Sequence, residues 1–345
     1  MLKASFKKHI FKFNFPGGTS RGVLLEKVSY FLKIWNSEIS EIVGLGEVSL
    51  IPNLSPETSE QIELLLNEFI QNPNDFVTTK ELKNFPALKF GLETALLDLE
   101  TGAKKILFPS EFTKGKVGIR INGLVWMGTK DEMLQRIKEK IESGFTCIKI
   151  KIGAVSFHDE IELLKFIRKS FSVSDIEIRV DANGAFAPAE ALSKLEILSK
   201  LQLHSIEQPI KQGQWMEMKR LCANTPLPIA LDEELIGIAD TDKRIQLLET
   251  IKPQYIILKP SLIGGLKDSE EWSKLAIKRN IAWWVTSALE GNIGLNAIAQ
   301  WTFANGSKMP QGLGTGQVFS NNITSPLEIK GEELYYNPQI NWQNI

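Results

Sequence analysis

The chain has 345 residues, of which 43% are hydrophobic, so it can bury more than one hydrophobic core. Forty Lys and Arg residues face 41 Asp and Glu residues, without a long run of either sign. This balance argues against the basic surface that binds nucleic acid or an anionic membrane. We therefore expect a small-molecule ligand, and the sequence does not indicate an oligomeric state.

The cysteine content and the N-terminal segment indicate where the protein works. Cys147 and Cys222 form no CxxC pair and cannot make a disulfide framework. Lysines interrupt the apolar residues of the first dozen positions, and no later stretch approaches the roughly 18 apolar residues of a membrane span. We therefore expect a cytoplasmic protein that is neither exported nor inserted in a membrane.

The first third of the chain has the pattern of a small α+β unit, predicted to cover residues 1–116. Apolar residues alternate at 11–15, which is the period of a half-buried strand, and a Pro-Gly-Gly turn follows. Further strands are predicted at 21–34 and 41–48. Ser55 followed by Pro56 predicts the start of a helix, and a second helix is predicted at 86–100.

From residue 117 to 325, short apolar runs alternate with amphipathic stretches, with a repeat of roughly 25–30 residues that is typical of consecutive βα units. The predicted strands end near Asn122, Lys151, Asp181, Glu207, Asp232, Lys259, Thr286 and Gly312. Helices are predicted between them, for example at 131–142, 156–169 and 188–201. The pattern predicts a (β/α)8 TIM barrel, and the polar segment 326–345 is expected to pack back on the N-terminal unit.

Charged residues occur in or at the end of these otherwise apolar strands. They are Lys149, Lys151, Asp181, Glu207, Asp232 and Lys259. Strands of a parallel barrel are buried on both faces, so charges there need a reason. At the C-terminal mouth of a barrel, side chains from several strands converge on one point.

Three of these residues are carboxylates on successive strands. Asp181, Glu207 and Asp232 provide hard oxygen ligands that suit Mg²⁺. Each carboxylate taken singly has a simpler interpretation, because acidic residues also end strands as helix N-caps. Taken together they would repel one another unless a cation organised them, which favours a metal site.

The lysines suggest proton transfer. Lys149 and Lys151 are one residue apart, so they project to the same face of a strand, and Lys259 comes from another strand. A partly desolvated lysine near another cation has a lowered pKa and can act as a base. The alternative is a solvated pair beside a buried row of isoleucines, so the two lysines of this strand are weak evidence alone.

In combination these motifs resemble the muconate-lactonising subgroup of the enolase superfamily, over essentially the whole chain. The matching segments are KIK at 149–151, VDANG at 180–184, IEQP at 206–209, LDE at 231–233 and LKP at 258–260. The resemblance implies an N-terminal capping domain on a barrel, with Mg²⁺, or Mn²⁺ in its place, held by Asp181, Glu207 and Asp232. It also implies that Lys151 and Lys259 flank the substrate's α-carbon, while Lys149 and Asn183 support the site.

Two glycine-rich segments resemble the o-succinylbenzoate synthase family within that subgroup. Segments 18–22 (GTSRG) and 312–316 (GLGTG) correspond to its lid loop and its terminal substrate loop, although both are also typical of ordinary turns. The implied substrate-binding residues are Ser20, Arg21, Ser287 and Gly314. Residues 308–320 contain no acidic residue, whereas a dipeptide epimerase is expected to carry an Asp-x-Asp pair there.

The implied reaction is dehydration of 2-succinyl-6-hydroxy-2,4-cyclohexadiene-1-carboxylate to 2-succinylbenzoate in menaquinone biosynthesis, through an enediolate. An N-succinylamino acid racemase is an alternative, because its substrate shares a succinyl group and a carboxylate. A non-catalytic barrel that binds small acids is a remote alternative. Lysines on both sides of the carboxylates argue against it, because binding alone would not require groups that can be deprotonated.

Overall fold

The computed structural model describes residues 1–19, 22–153 and 155–345. The strands are β1 (Leu2–Thr19), β2 (Gly22–Asn36), β3 (Ile39–Ser49), β4 (Ile119–Arg120), β5 (Gly123–Val125), β6 (Cys147–Lys151), β7 (Glu177–Asp181), β8 (Ser205–Glu207), β9 (Ile229–Leu231), β10 (Tyr255–Leu258), β11 (Ala282–Val285), β12 (Leu327–Lys330) and β13 (Glu333–Tyr336). The helices are α1 (Ser59–Gln71), α2 (Pro73–Thr79), α3 (Pro86–Glu100), α4 (Lys130–Glu142), α5 (Phe157–Ser170), α6 (Pro188–Ser199), α7 (Trp215–Asn224), α8 (Thr241–Ile251), α9 (Pro260–Ile263), α10 (Gly265–Ile277) and α11 (Asn292–Ala304). Within these described ranges, no helix is long and apolar enough to cross a membrane.

The N-terminal strands form an antiparallel sheet in the order β1-β2-β3, and α3 packs closely against β3. The close approach depends on two glycines of β3. A Cβ at Gly44 would clash with the carbonyl oxygen of Ala95, and one at Gly46 would clash with that of Gly91. Sheet and helices enclose their own apolar core, which includes Leu32, as expected for a capping unit.

The first helix begins later than the sequence predicted. Helix α1 starts at Ser59, and Thr58 is its N-cap in a reciprocal capping box with Gln61. Ser55 instead accepts a hydrogen bond from the Ile51 amide. The prediction at Ser55 was wrong because two candidate caps lie three residues apart, and only the second has a partner at the right spacing. The prediction for α3 is confirmed.

The barrel sheet contains seven parallel strands in the order β5 to β11, so sequence order and spatial order coincide. The predicted eighth strand is reduced to two residues. Gln311 forms a parallel bridge with Ile121 on one side, and Gly312 forms one with Thr286 on the other. The preceding residue is Pro310, which has no N–H to extend the ladder. The sheet nevertheless closes, and the predicted TIM-barrel class with an antiparallel cap is confirmed.

The C-terminal segment contacts both units. Its hairpin, β12–β13, pairs with β4 at the start of the barrel. Farther on, the carbonyl of Ile345 accepts a hydrogen bond from Lys33 of the cap, and Lys105 lies 5.6 Å from the ring centroid of Trp342. The domain bounds at 116 and 325 stay a prediction.

A buried arginine fills the barrel two residues before Asp181 on the same strand. Arg179 is 1% exposed and donates from Nε to Glu177 (2.7 Å) and from Nη1 to the Pro310 carbonyl (2.8 Å). Its guanidinium carbon lies 4.3 Å from the ring centroid of Trp284. Cation, carbonyl and indole together fill the floor below the charged mouth.

Candidate active site

The carboxylates predicted as metal ligands lie next to one another at the C-terminal ends of the barrel strands. Asp181 is in register with Lys151 on one neighbouring strand and with Glu207 on the other. Asp232 follows β9, the next strand around the barrel. All three carboxylates are 2% exposed or less. Both Asp181 and Asp232 act electrostatically on the carboxyl group of Glu207.

The three predicted lysines contact these carboxylates directly. Lys149 Nζ lies 2.9 Å from Asp181 Oδ2 and also bonds to Glu207. Lys151 Nζ lies 2.7 Å from the same oxygen of Asp181, and Lys259 bonds to Asp232. The structure therefore brings together all six charged residues that the strand pattern singled out. Alternating positive and negative groups offset the cost of burying each of them.

Burial and neighbouring charges shift the pKa values of the three carboxylates in different directions. Burial alone would raise the pKa of Asp181, but Lys149 and Lys151 lower it below its ordinary value. Asp232 shows the same balance, with Lys259 lowering its pKa against the effect of burial. The pKa of Glu207 is raised, because burial and the Asp181 carboxylate outweigh Lys149. Glu207 is thus the member of the trio that most lacks positive charge.

The pKa values of Lys149 and Lys259 shift opposite to the expected direction. Burial alone would lower the pKa of Lys149, but Asp181 and Glu207 raise it above its ordinary value. Burial also acts to lower the pKa of Lys259, and Asp232 with Glu207 raises it. The expectation considered only cations as neighbours. The carboxylates are closer, so they decide the sign.

Whether these residues fit a divalent cation depends on their oxygen atoms. Among residues 1–19, 22–153 and 155–345, no group of three acidic, His or Cys side chains is arranged to hold a metal ion as it stands, since lysines contact the carboxylates. However, Glu207 Oε1 is buried without a hydrogen-bond partner. An unpaired buried oxygen beside two further carboxylates is a hard, anionic donor set, so the residues fit Mg²⁺.

Two amide side chains hold the ends of the strands in place. Asn183, in the left-handed conformation with φ 44°, accepts from Lys151 Nζ (2.8 Å) and donates to Glu233 (3.0 Å). Gln208 Oε1 accepts from the backbone N–H groups of Asp232 (3.2 Å) and Glu234 (3.3 Å). Sequence reasoning selected Asn183 and missed Gln208, because a glutamine after a strand carries no distinctive signal.

A cavity of about 1210 Å³ opens over these residues. Lys149, Lys151 and Lys259 line it, and the carboxylates lie behind them. Ser287 and Gly314, predicted to bind substrate, also line the cavity. The other two predicted substrate-binding residues, Ser20 and Arg21, lie outside the described residues, and they are the middle of the predicted lid loop. Strands β1 and β2 pair up to Thr19 and Gly22 at its base.

Comparison with known families places the barrel in a defined group. Residues 132–335 match the family described as enolase C-terminal domain-like. The chain is 47% identical to the o-succinylbenzoate synthase of Desulfotalea psychrophila, over 96% of this chain and 98% of that protein. This identity extends through the capping unit as well as the barrel.

Solved structures show the same architecture. The crystal structure of MenC from Desulfotalea psychrophila LSv54 superimposes with a TM-score of 0.86 at 42% identity, covering 97% of this chain and 99% of that one. A dipeptide epimerase from Enterococcus faecalis V583, complexed with Mg and the dipeptide L-Leu-L-Tyr, gives a TM-score of 0.80 at 21% identity, with 97% of each chain covered. The second likeness shows the fold alone.

Proposed function

Since the chain belongs to the o-succinylbenzoate synthase family of the enolase superfamily, we propose that it dehydrates 2-succinyl-6-hydroxy-2,4-cyclohexadiene-1-carboxylate to 2-succinylbenzoate, a step of menaquinone biosynthesis. The observation that carries the proposal is the cavity floor. Lys151 and Lys259 line it from different strands, and each contacts one of the clustered carboxylates. Acid–base groups therefore face the cavity, and the anionic ligands lie directly behind them.

Asp181, Glu207 and Asp232 would hold Mg²⁺, with water and substrate completing its coordination. The bound ion would supply positive charge, which would lower the pKa of the proton α to a substrate carboxylate. The unpaired oxygen of Glu207 supports this assignment.

Lys151 would remove the α-proton and, as an ammonium, return it to the departing hydroxide. The C–H bond and the C–O bond of the ring both break, water leaves, and the ring becomes aromatic without any oxidant. Lys259, opposite Lys151, would remain an ammonium and stabilise the delocalised anion. Lys259 lines the cavity, where it would face a bound substrate. Asn183 would orient Lys151 through the bond to its Nζ.

The test is an assay of the purified protein with the cyclohexadiene carboxylate and, separately, with N-succinyl amino acids. We expect efficient dehydration that stops in excess chelator and returns with Mg²⁺ or Mn²⁺. Turnover that persists undiminished in chelator would contradict the metal assignment. Efficient racemisation with negligible dehydration would overturn the synthase assignment in favour of the racemase.

A further inference from the structure

A buried lysine of the capping sheet contacts the wall of the active-site cavity and takes no part in the proposed proton transfers. Lys27, on β2, is 2% exposed. Its Nζ donates to the carbonyl oxygen of Leu289 (2.6 Å) and to Ser49 Oγ. The rings of Phe11 and Phe319 lie 5.6 and 5.8 Å from the same nitrogen. Lys27 therefore reaches across from the cap to a backbone atom of the barrel.

The segment that Lys27 contacts has an unfavourable backbone. We call residues 287–289, which all line the cavity, the wall segment. Leu289 has a φ of 60°, in the left-handed region that a branched side chain rarely adopts. Such conformations persist only where surrounding structure enforces them, and they cluster at ligand sites. The bond from Lys27 to the Leu289 carbonyl is one enforcing contact.

Two buried carboxylates hold the wall segment and the residues that follow it directly. Glu47, on β3 of the cap, accepts from the amides of Gly291 (2.8 Å) and Gly294 (2.9 Å), just after the wall segment. Glu290 accepts from the amide of Ala288 (2.7 Å) and from Ser261 Oγ. Both carboxylates are fully buried and act electrostatically on Lys27.

This arrangement also connects to the catalytic machinery. Ser261 follows Lys259 by two residues, in the short helix α9 that begins directly after it. Glu290 thus ties the wall segment to the turn that carries Lys259, and Lys27 ties it to the cap. None of the three charged groups lines the cavity, so they act through the residues that do.

We propose that Lys27, Glu47 and Glu290 form a clamp, a set of positioning residues through which the cap fixes the wall segment and so sets the affinity for substrate. The choice of substrate rests on the proposed function. The clamp itself rests on the contacts of the wall segment. Its role is to hold Ser287 and Ala288 at one position, because a displacement of about 1 Å in a binding wall is enough to lower catalytic efficiency strongly.

The primary test is Lys27→Met, which keeps the length of the side chain and removes its donors. We expect KM for the cyclohexadiene carboxylate to rise roughly tenfold while kcat stays within about twofold, the pattern of lost binding rather than lost chemistry. The dissociation constant of 2-succinylbenzoate should rise by a similar factor. Ser49→Ala is the matched control, because it removes the other acceptor of Lys27 without touching the wall segment, and it should leave both constants unchanged.

Two further variants test whether the effect of Lys27→Met comes from an unbalanced buried charge and whether it depends on the left-handed backbone of Leu289. Lys27→Met combined with Glu290→Gln removes one charge of each sign, so the buried net charge is kept, and KM should rise at least as much as in Lys27→Met, because Glu290 is also part of the clamp. Leu289→Gly accepts the left-handed backbone without a Cβ. In that background Lys27→Met should raise KM by a smaller factor than in the wild-type background.

Amide hydrogen exchange measures how firmly the clamp holds these backbone amides and does not depend on catalytic activity. Lys27→Met should speed exchange at Ala288, Gly291 and Gly294, whose amides the clamp holds, and Ser49→Ala should not. A lower melting temperature with unchanged KM, product affinity and exchange would show a purely structural lysine and overturn the clamp. Absence of dehydration by the wild type would count against the proposed function instead, and the exchange result would still decide the clamp.

Discussion

Asp181 bonds to three nitrogen atoms at once: the Nζ atoms of Lys149 and Lys151 and the backbone N–H of Asn183. A single carboxylate, itself a proposed metal ligand, thereby contacts a supporting lysine, a proposed base and the residue that orients that base. Because these groups share one anion, a change at any of them alters the charge seen by the others, and their effects on activity should not add.

The proposed roles of Lys151 and Lys259 can be separated by measuring exchange of the substrate α-proton with solvent. Lys151→Ala should abolish both dehydration and the exchange of the substrate α-proton with solvent deuterium, because one amine performs both proton transfers. Lys259→Ala removes a charge partner of the developing anion and should lower kcat by roughly 10²–10³. Lys259→Arg should rescue little, since a planar guanidinium cannot replace a compact ammonium. Proton exchange that survives in Lys151→Ala would contradict its assignment as base.

Gln208 should affect metal affinity although it is not a ligand. Gln208→Ala removes the acceptor for the backbone N–H of Asp232, so we expect the Mg²⁺ concentration for half-maximal activity to rise roughly 10–100-fold. Activity at saturating Mg²⁺ should fall much less. Gln71→Ala, an exposed change at the end of α1, is the control. Equal Mg²⁺ dependence in both variants would show that Gln208 does not position Asp232.

Much of this site could be predicted from the sequence, and the reason is physical. A charge inside a strand that is buried on both faces is costly unless it is paired, so Lys149, Asp181 and Lys259 stand out against their apolar neighbours. Lys27 and Gln208 do not, because each occurs where polar residues are ordinary. Their partners, backbone atoms far away in sequence, appear only once the chain is folded.

At the scale of elements, the caps of the first two long helices are linked. Glu57 lies directly before Thr58, the N-cap of α1, and its Oε1 accepts a hydrogen bond from the Ala87 amide at the start of α3. Its other carboxyl oxygen is buried without a partner. One side chain therefore satisfies a free amide of a distant helix while it is itself poorly solvated.

This placement predicts a pH dependence of stability. Burial raises the pKa of Glu57 from 4.5 to about 7, against the backbone N–H groups that lower it. The folded state thus prefers the protonated carboxyl. The stabilisation is complete below the ordinary pKa and is lost as pH rises through about 7, by a free energy on the order of 1–3 kcal/mol.

Thermal melting at pH 5 and pH 8 measures the effect. Glu57→Gln stays neutral at both values, so the wild type should lose more stability than the variant between them. Parallel pH profiles for the two proteins would show that Glu57 titrates near its ordinary value. The other buried acids titrate in both proteins and cancel in the comparison.

At the scale of the molecule, the N-terminal face of the barrel should determine stability rather than activity. Glu332, in the turn of the C-terminal hairpin, bonds to Arg120 (3.1 Å) and to the Thr146 amide at the start of β6 (2.9 Å). Glu332→Ala should lower the free energy of unfolding by about 1–3 kcal/mol. It should leave kcat/KM near the wild-type value, because the mouth lies at the opposite strand ends.

The control is Lys330→Ala in the same hairpin, where the side chain is exposed and little change is expected. Chemical denaturation and steady-state kinetics of both variants provide the comparison. A large loss of kcat/KM in Glu332→Ala with unchanged stability would place the hairpin among the functional elements.

The fold was predictable because its repeat is regular: each amphipathic stretch between short apolar runs indicates one βα unit. The regularity fails at the last unit, where the strand expected to end near Gly312 consists only of Gln311 and Gly312 in single bridges. Residues 308–314 (KMPQGLG) are not an apolar run, so the strand was expected from the repeat rather than from the local residues. Pairing on both sides is a property of the closed sheet, so only the structure could show it.

We call Gln311 and Gly312, the two residues that close the barrel sheet, the seam. Six strand pairs carry continuous ladders, whereas Gln311 and Gly312 contribute one bridge to each side. Two backbone hydrogen bonds hold each side of the seam, between Gln311 and residues 120 and 122 and between Gly312 and residues 285 and 287. Ile121 and Thr286, on the two sides of the seam, both line the cavity. The barrel therefore closes at the cavity wall, away from the strands that carry the charged residues.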